Sequence, residues 1–211
     1  MQDAELISTY FPDFTEKQTQ QLLQLVDLYK EWNDKINVIS RKDMEKLVEH
    51  HLLHALSIAK LHPFPNNSKI LDFGTGGGIP GLPLAIVFPT CQFLLVDSIG
   101  KKIKVVNAII ETLGLENVKA EQNRVENLRD KFDFITCRAV ARLDKLIKWT
   151  RPLFRKKDPN CTWLFLKGGD LAEEINEINL NVKKTPLNKL YDSAFYEEKY
   201  LLVMQPTDRK R

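Results

Sequence analysis

A glycine-rich stretch between residues 71 and 86 is the part of the sequence most typical of ligand chemistry. It reads LDFGTGGGIPGLPLAI, an apolar run that leads into glycines and then into apolar residues again. Residues 76–81 match the pattern G-x-G-x-x-G, with which a strand–turn–helix unit brings its backbone close to a nucleotide cofactor. The pattern alone is a weak signal, so the neighbouring residues must indicate which cofactor the loop binds.

Asp72, immediately before the loop, favours a cationic cofactor. A dinucleotide such as NAD would place its pyrophosphate here, over the N-terminus of the following helix. Like charges about 4 Å apart repel by about 4 kcal/mol at an effective dielectric constant of about 20. S-adenosylmethionine (SAM) instead carries a sulfonium and an ammonium, which Asp72 attracts. The stretch therefore predicts a SAM site, where Gly74, Gly76 and Gly78 allow close approach, and it disfavours a nucleotide-binding module or an NAD oxidoreductase.

Two further acids follow the next strands of the sequence. Asp97 ends the apolar run 93–96 and can accept hydrogen bonds from both ribose hydroxyls of either SAM or NAD. Its alternative role is that of a helix N-cap together with Ser98. Glu126 follows the third strand, where it can lie beside an adenine.

The histidines and cysteines indicate neither a metal site nor a covalent nucleophile. His50 and His54 share one helical face, but zinc needs three or four ligands, and no further His or Cys pair lies near them in the sequence. We expect His51 in the core, on an apolar stripe, and His50 and His54 at the surface. Cys137 lies inside an apolar strand and lacks the preceding proline of a cytosine-C5 methyltransferase, which predicts a packed thiol.

From residue 69 onward, β-rich runs alternate with helical ones, which predicts an α/β fold with a doubly wound, mostly parallel sheet. The predicted strands are 69–73, 92–97, 117–121, 132–137 and 161–167. The predicted helices are 80–88, 100–113, 141–154 and 170–178, the second capped by Gly114. The runs 182–189 and 198–205 have no helix between them and predict an antiparallel pair. In such a sheet, ligands bind at the carboxyl ends of the strands.

Two amphipathic segments that precede this sheet are predicted to be helices. The first opens with Thr15 and Gln18 in the spacing of a capping box, and the second opens at Ser40. We divide the chain into an N-terminal helical segment, residues 1–66, packed on a Rossmann-like core, residues 67–211.

Composition excludes some classes of protein. Of the 211 residues, 43% are hydrophobic, which is enough to form a full core. The sequence contains no run of about 18 apolar residues, the length that a membrane-spanning helix needs. The N-terminus lacks a signal-peptide pattern and the three scattered cysteines suit reduced thiols, so we expect a cytoplasmic protein. The net charge of +3 is too small to indicate nucleic acid. Basic clusters at 101–104 and 151–157 are either solvated faces or a phosphate-binding rim.

Several motifs together resemble one known family over nearly the whole chain. They are Glu31-Trp32-Asn33, Glu49-His50-His51-Leu52-Leu53, the loop from Asp72 to Gly81, Val96-Asp97-Ser98-Ile99-Gly100-Lys101-Lys102, Arg124-Val125-Glu126, Arg138-Ala139 and Leu166-Lys167-Gly168. In these motifs the sequence is similar to the glucose-inhibited division protein B family, also called RsmG. These bacterial methyltransferases modify N7 of a guanine, guanine 527, in 16S ribosomal RNA.

The resemblance implies a class I SAM-dependent methyltransferase fold with an N-terminal helical extension. It implies that Asp97 binds the ribose and that the other cofactor contacts come from Gly74, Ile79, Val125, Glu126 and Arg138. Two positions depart from the family's usual pattern. Gly77 stands where the family often has Pro, a change that the loop should tolerate, and His54 stands where it often has Asp.

Methylation at N7 of guanine needs no general base, because this nitrogen carries a lone pair and no proton at neutral pH. We therefore expect residues that align the reactants, with Arg138 and Lys167 as candidates, and no catalytic residue in the strict sense. A cation beside N7 would oppose the charge that develops on the ring, so Arg138 is assigned to the cofactor carboxylate or to a phosphate of a splayed nucleotide.

The expected partner is 16S rRNA or the small ribosomal subunit, bound by a monomeric enzyme without a metal ion. Candidates for contact with the RNA backbone are Lys101, Lys102, Arg124 and Lys167. The alternative function is that of a SAM-dependent methyltransferase acting on a small molecule or a protein.

Overall fold

Seven strands form one twisted sheet through the middle of the molecule. The computed structural model describes residues 3–155 and 158–210. The strands are β1 (Lys69–Phe73), β2 (Gln92–Asp97), β3 (Val118–Gln122), β4 (Phe134–Arg138), β5 (Thr162–Gly168), β6 (Lys183–Pro186) and β7 (Lys199–Met204). Their order in the sheet is β3-β2-β1-β4-β5-β7-β6, and β7 alone runs in the direction opposite to the other six strands. The strand order reverses between β1 and β4, which is where a doubly wound sheet opens a ligand crevice.

Helices cover both faces of this sheet. They are α1 (Asp3–Tyr10), α2 (Glu16–Lys35), α3 (His54–Leu61), α4 (Gly81–Val87), α5 (Gly100–Leu113), α6 (Leu143–Thr150) and α7 (Ala172–Glu177). One apolar cluster joins α1 to α5 with one face of the sheet, and a second cluster joins α6 and α7 with the other face. The N-terminal helices thus pack on the same face as α4 and α5.

The side chains of β1 point alternately to the two faces of the sheet. Ile70 belongs to the first apolar cluster, whereas Leu71 and Phe73 belong to the second. Because successive side chains on a strand point to opposite faces, Asp72 is directed to the face of Ile70, toward α4. This direction bears on the role of Asp72 in the site.

The predicted doubly wound sheet is confirmed, and the strand bounds differ from the prediction by only a few residues. Helix α5 has the predicted bounds and ends at Gly114, whose φ of 60° is the left-handed conformation of a C-cap. The predicted helix 141–154 is shorter, because a separate 3₁₀ turn, Arg151–Leu153, follows α6. The C-terminal antiparallel pair is confirmed as β6 and β7.

The N-terminal segment matches the prediction in its first helix and not in its second. The capping box is present, with the Thr15 side chain accepting from the Gln18 backbone and the Gln18 side chain from the Thr15 backbone. The second predicted helix is instead a 3₁₀ turn (Arg41–Lys46), a π-helical turn (Val48–Leu53) and then α3. The apolar stripe predicted for this segment is nevertheless kept, because Leu47, Val48, Leu52 and Ala55 are buried and Met44 and Ala59 pack against the same cluster. The division of the chain at residue 66 stays a prediction.

Candidate functional site

A cavity of about 1050 Å³ opens at the carboxyl ends of the strands, between the sheet and the N-terminal segment. Most of the predicted cofactor residues line it, namely Gly74, Gly76, Ile79, Asp97, Val125, Glu126 and Arg138. Three of the predicted RNA-binding residues, Lys102, Arg124 and Lys167, line it as well. Asp72, Gly78 and Lys101 are not among the lining residues; Lys101 is exposed on the first turn of α5.

The glycine loop presents bare backbone to this cavity. Gly74 and Gly76 have φ values of 64° and 59°, which glycine adopts without steric cost. No atom lies within 4 Å of the position that a Cβ on Gly76 would take. A ligand can therefore approach the Gly76 backbone closely, and any side chain at this position would occupy the space.

Asp97 joins this loop to the end of β2. One carboxylate oxygen, Oδ2, accepts from the Gly76 N–H at 2.9 Å, and the other, Oδ1, accepts from the Ile99 N–H at 2.9 Å. The bond to Ile99 tightens the turn between β2 and α5 and is not a capping bond, because Ile99 itself is the N-cap of α5 and no side chain caps this helix. The residue also lines the cavity, and each carboxylate oxygen has a second lone pair for a ligand hydroxyl. Asp97 is thus placed for the predicted contact with a ribose, whereas the alternative role as an N-cap is wrong.

Asp72 is a correction to the predicted cofactor contacts. Its side chain is fully buried and makes only internal hydrogen bonds. Oδ2 accepts from the Thr75 hydroxyl at 2.5 Å and from the Gly81 N–H at 3.0 Å, and Oδ1 accepts from the Thr136 hydroxyl at 3.1 Å. Burial raises the pKa of Asp72 to about 6, although these hydrogen bonds act in the opposite direction. The carboxylate therefore fixes the shape of the loop from behind, as the alternation along β1 requires.

Gly78, also predicted as a cofactor contact, is a packing glycine instead. Its φ is 98°, and a Cβ would lie 2.4 Å from Leu82 Cδ1. The space beside Gly77 is narrow too, because a Cβ there would lie 3.2 Å from Val38 Cβ. A side chain at Gly77 therefore requires Val38 to move by a few tenths of an ångström.

Arg138, at the end of β4, brings a positive charge into the cavity. One guanidinium nitrogen, Nη2, lies 2.8 Å from Nδ1 of His51. Within residues 3–155 and 158–210, Arg138 has no carboxylate within 4.0 Å. Its charge is therefore available to an anionic ligand, which is the role that the sequence predicts.

The histidines occupy places other than those predicted. His54 is the buried one, 5% exposed, and His50 and His51 are partly buried rather than divided between surface and core. All three line the cavity. Residues three and four positions apart lie on the same side of a helix, so His54 shares its side with both His50 and His51.

Two other predicted residues are engaged inside the protein. Lys167 Nζ lies 2.6 Å from Glu174 Oε2 and donates to the Ala141 carbonyl at 2.8 Å, so its charge is compensated. Cys137 is buried as predicted, and burial raises the pKa of its thiol. A buried thiol that keeps its proton is a poor nucleophile.

The structure adds residues that sequence reasoning missed. The Tyr29 hydroxyl donates to the Gly77 carbonyl at 2.8 Å, which ties α2 to the glycine loop. Phe195 stacks on His50 with ring centroids 3.9 Å apart, and Lys199 Nζ lies 5.1 Å from the Phe195 ring centre. Phe195 and Lys199 both line the cavity. They lie beyond the last recognised motif, and only the insertion of β7 beside β5 brings them to the site.

The site has the donors and acceptors that SAM requires. The bare backbone at Gly76 allows a ligand to approach closely, and the Asp97 carboxylate can accept from ribose hydroxyls. Arg138, which has no carboxylate within 4.0 Å among the described residues, can bind the carboxylate of the cofactor. No group of three His, Cys, Asp or Glu residues in the described chain is arranged to hold a metal ion. Among the same residues, no helix has the length and apolar character to cross a membrane. Lys156 and Lys157, from the second basic cluster, lie outside the described residues.

A sequence model of the GidB family, described as rRNA small subunit methyltransferase G, matches residues 18–199. The chain belongs to this family. The resemblance that the sequence motifs indicated is therefore confirmed.

Relatives within the GidB family cover almost the entire chain. A protein of Porphyromonas gingivalis named ribosomal RNA small subunit methyltransferase G is 45% identical over 95% of this chain and 92% of its own length. A protein of Phocaeicola vulgatus with the same name is 46% identical over 95% of this chain and 97% of its own length.

Solved structures share the fold of this GidB family member. A SAM-dependent methyltransferase from Aquifex aeolicus superposes with a TM-score of 0.57 at 16% identity, over 79% of this chain and 98% of the other. A ribosomal protein L11 methylase from Lactobacillus delbrueckii superposes with a TM-score of 0.55 at 15% identity, over 75% and 77%. The predicted class I methyltransferase fold is confirmed.

Proposed function

We propose that this protein transfers a methyl group from SAM to N7 of a guanine, guanine 527, in 16S ribosomal RNA. One observation carries the assignment of enzyme class and substrate. This is the match to relatives named ribosomal RNA small subunit methyltransferase G, at 45–46% identity over 95% of the chain. The position of the cavity, where the strand order reverses between β1 and β4, is consistent with the assignment.

SAM is held, in this proposal, along the ends of β1, β2 and β3. The Gly74 and Gly76 backbone approaches the cofactor, Asp97 accepts from the ribose hydroxyls, and Val125 and Glu126 contact the adenine. The support is that all five residues line the same cavity, at the ends of adjacent strands. When bound, the cofactor supplies a methyl group on a positively charged sulfur.

The protein's own residues contribute alignment and electrostatics. Guanine N7 needs no deprotonation, so no general base is assigned. Arg138 binds an anion, either the cofactor carboxylate or a phosphate. The bound anion neutralises the guanidinium, so the guanidinium does not oppose the positive charge that develops at N7. The imidazole of His54 is uncharged at neutral pH, because burial lowers its pKa well below the usual value. A neutral group in this place does not oppose the positive charge that develops on the guanine.

The RNA backbone is assigned to Lys102, Arg124 and Lys199 at the rim of the cavity, because none of them lies within 4.0 Å of a described carboxylate. Lys101 lies beside this rim. Lys167 can contact the RNA backbone only when its ion pair with Glu174 is broken. The substrate is 16S rRNA or an assembling small subunit, the enzyme acts as a monomer, and its location is the cytoplasm.

Methyl transfer from labelled SAM tests this function. The substrate is small-subunit RNA, naked or in particles, from a strain that lacks the modification, and the product is digested to nucleosides. Label in 7-methylguanosine supports the proposal, and RNA from a strain with the modification should accept none. If SAM binds but neither RNA nor particles take up label, the protein is a SAM-dependent methyltransferase of a small molecule or a protein.

A further inference from the structure

The contact between His51 and Arg138 joins the N-terminal segment to the end of β4. His51 lies on the π-helical turn and Arg138 is the last residue of the strand, and their nitrogens are 2.8 Å apart. Both side chains line the cavity. No other residue from the N-terminal segment hydrogen-bonds to Arg138 among those that the structure describes.

The chemistry of the two groups fixes the protonation of His51. A guanidinium has donors only, so Nδ1 of His51 must be the acceptor in this bond. The proton of the neutral imidazole is then on Nε2. Burial, and to a smaller extent the charge of Arg138, lower the pKa of His51 to about 4, so the ring is neutral at pH 7.

The remaining nitrogen of His51 has no hydrogen-bond partner. Nε2 is buried, and Asp43 Oδ2 lies 3.7 Å from it, too far for a hydrogen bond. The other oxygen of Asp43 lies 3.2 Å from His50 Nδ1. A buried N–H without a partner destabilises the folded protein, so its presence at His51 needs an explanation, and a functional role is one.

We propose that His51 is a positioning residue that orients Arg138 toward an anion in the cavity without pairing the guanidinium with a carboxylate. An acidic partner would hold the guanidinium equally well but would cancel its charge. A neutral acceptor such as the His51 imidazole orients the guanidinium without cancelling its charge. The inference rests on the proposed function, and the anion is either the carboxylate of the cofactor or a phosphodiester of the RNA.

Three substitutions separate orientation from charge. His51→Asn keeps a neutral acceptor near the position of Nδ1, His51→Asp supplies a charged acceptor, and His51→Leu removes the acceptor. His62→Asn is the matched control, because His62, at the end of α3, is partly buried against Phe134 of β4 but does not line the cavity.

Affinities for S-adenosylhomocysteine, measured by calorimetry, and for small-subunit RNA, measured by filter binding, give the first result. One of the two affinities should fall about tenfold or more in His51→Leu and in His51→Asp, and much less in His51→Asn. Loss of affinity for S-adenosylhomocysteine identifies the carboxylate as the anion, and loss of RNA affinity identifies the phosphodiester. If both affinities in His51→Leu or His51→Asp stay within about twofold of wild type, the proposal is wrong.

Nuclear magnetic resonance of protein labelled with ¹⁵N at histidine gives a result independent of activity. His51 should show an unprotonated Nδ1 and a protonated Nε2, and Arg138→Leu should change this signal while His62 keeps its own. A protonated Nδ1 in the wild type overturns the proposal. Since neither binding nor resonance depends on methyl transfer, failure of the RNA methylation assay alone would affect the proposed function and not this inference.

Discussion

At the scale of single residues, two aspartates at neighbouring strand ends hold the glycine loop from opposite sides. Asp72 is buried behind the loop and accepts three hydrogen bonds from inside the protein. Asp97 lines the cavity and accepts from the Gly76 backbone. One carboxylate therefore shapes the loop from within, and the other is accessible to a ligand.

Gly76 and Gly114 offer a matched pair of substitutions. Their φ values are 59° and 60°, and neither has an atom within 4 Å of the place of a Cβ. Alanine at either position should lower the free energy of unfolding by about 1 kcal/mol, because both require the left-handed conformation. Only Gly76→Ala should also weaken S-adenosylhomocysteine binding, by roughly tenfold or more, as measured by calorimetry. Equal affinity in the two variants would contradict the assignment of Gly76 to the cofactor.

The buried Asp72 should make stability depend on pH. Its pKa rises from 3.8 to about 6 on folding, so the folded protein binds this proton more tightly than the unfolded chain does. The stabilisation from protonated Asp72 is therefore present below about pH 4 and is lost as pH rises to about 6. Relative to Asp72→Asn, the wild type should lose on the order of 3 kcal/mol of unfolding free energy over this range. Urea denaturation at several pH values measures it, and a constant difference between the two proteins would refute it.

At the scale of elements, segments from both ends of the chain complete the site that the strand ends begin. The π-helical turn contributes His50 and His51, α2 holds the glycine loop through Tyr29, and β7 carries Lys199. On the other face, Glu174 of α7 accepts from Lys167 of β5 and from the Leu143 N–H that begins α6. Each of these contacts fixes one wall of the cavity against the sheet.

The Lys167–Glu174 pair should be strongly coupled, because both side chains are largely buried, 11% and 15% exposed. Lys167→Met and Glu174→Gln each leave an unpaired group and should each lower the free energy of unfolding by about 3 kcal/mol. The double variant should cost clearly less than the two single costs together. Denaturation of the four proteins forms a double-mutant cycle, in which additive costs would show that the two residues act independently.

At the scale of the whole molecule, the net charge of +3 conceals an uneven distribution. The cavity and its rim gather Lys102, Arg124, Arg138 and Lys199, whose charges have no carboxylate within 4.0 Å among the described residues. Phosphate binding by such cations releases counterions, so affinity for RNA should decrease with salt.

The salt dependence of RNA binding should locate the contacts with the RNA backbone. In the double variant Lys102→Gln and Arg124→Gln, the slope of log affinity against log salt should become shallower by about 1 to 2. The matched control, Lys17→Gln with Lys119→Gln, removes two exposed charges away from the cavity and should keep the wild-type slope. Filter binding between low and moderate salt gives both slopes, and similar slopes would exclude the rim as the RNA contact.

The sequence by itself determined the sheet, the family and most of the residues that we assign to the cofactor. Buried strands, glycine turns and helix caps are local patterns, so Gly76, Asp97 and the cap at Gly114 could be located from neighbours along the chain. The tertiary structure alone decided the inward direction of Asp72, the pairing of Lys167 and the meeting of His51 with Arg138. His51 and Arg138 are 87 positions apart in the chain, and Asp72 and its partner Thr136 are 64 apart. Glu174 is only seven positions from Lys167 but lies on another element, and no local pattern indicates which side chains meet when two elements pack together.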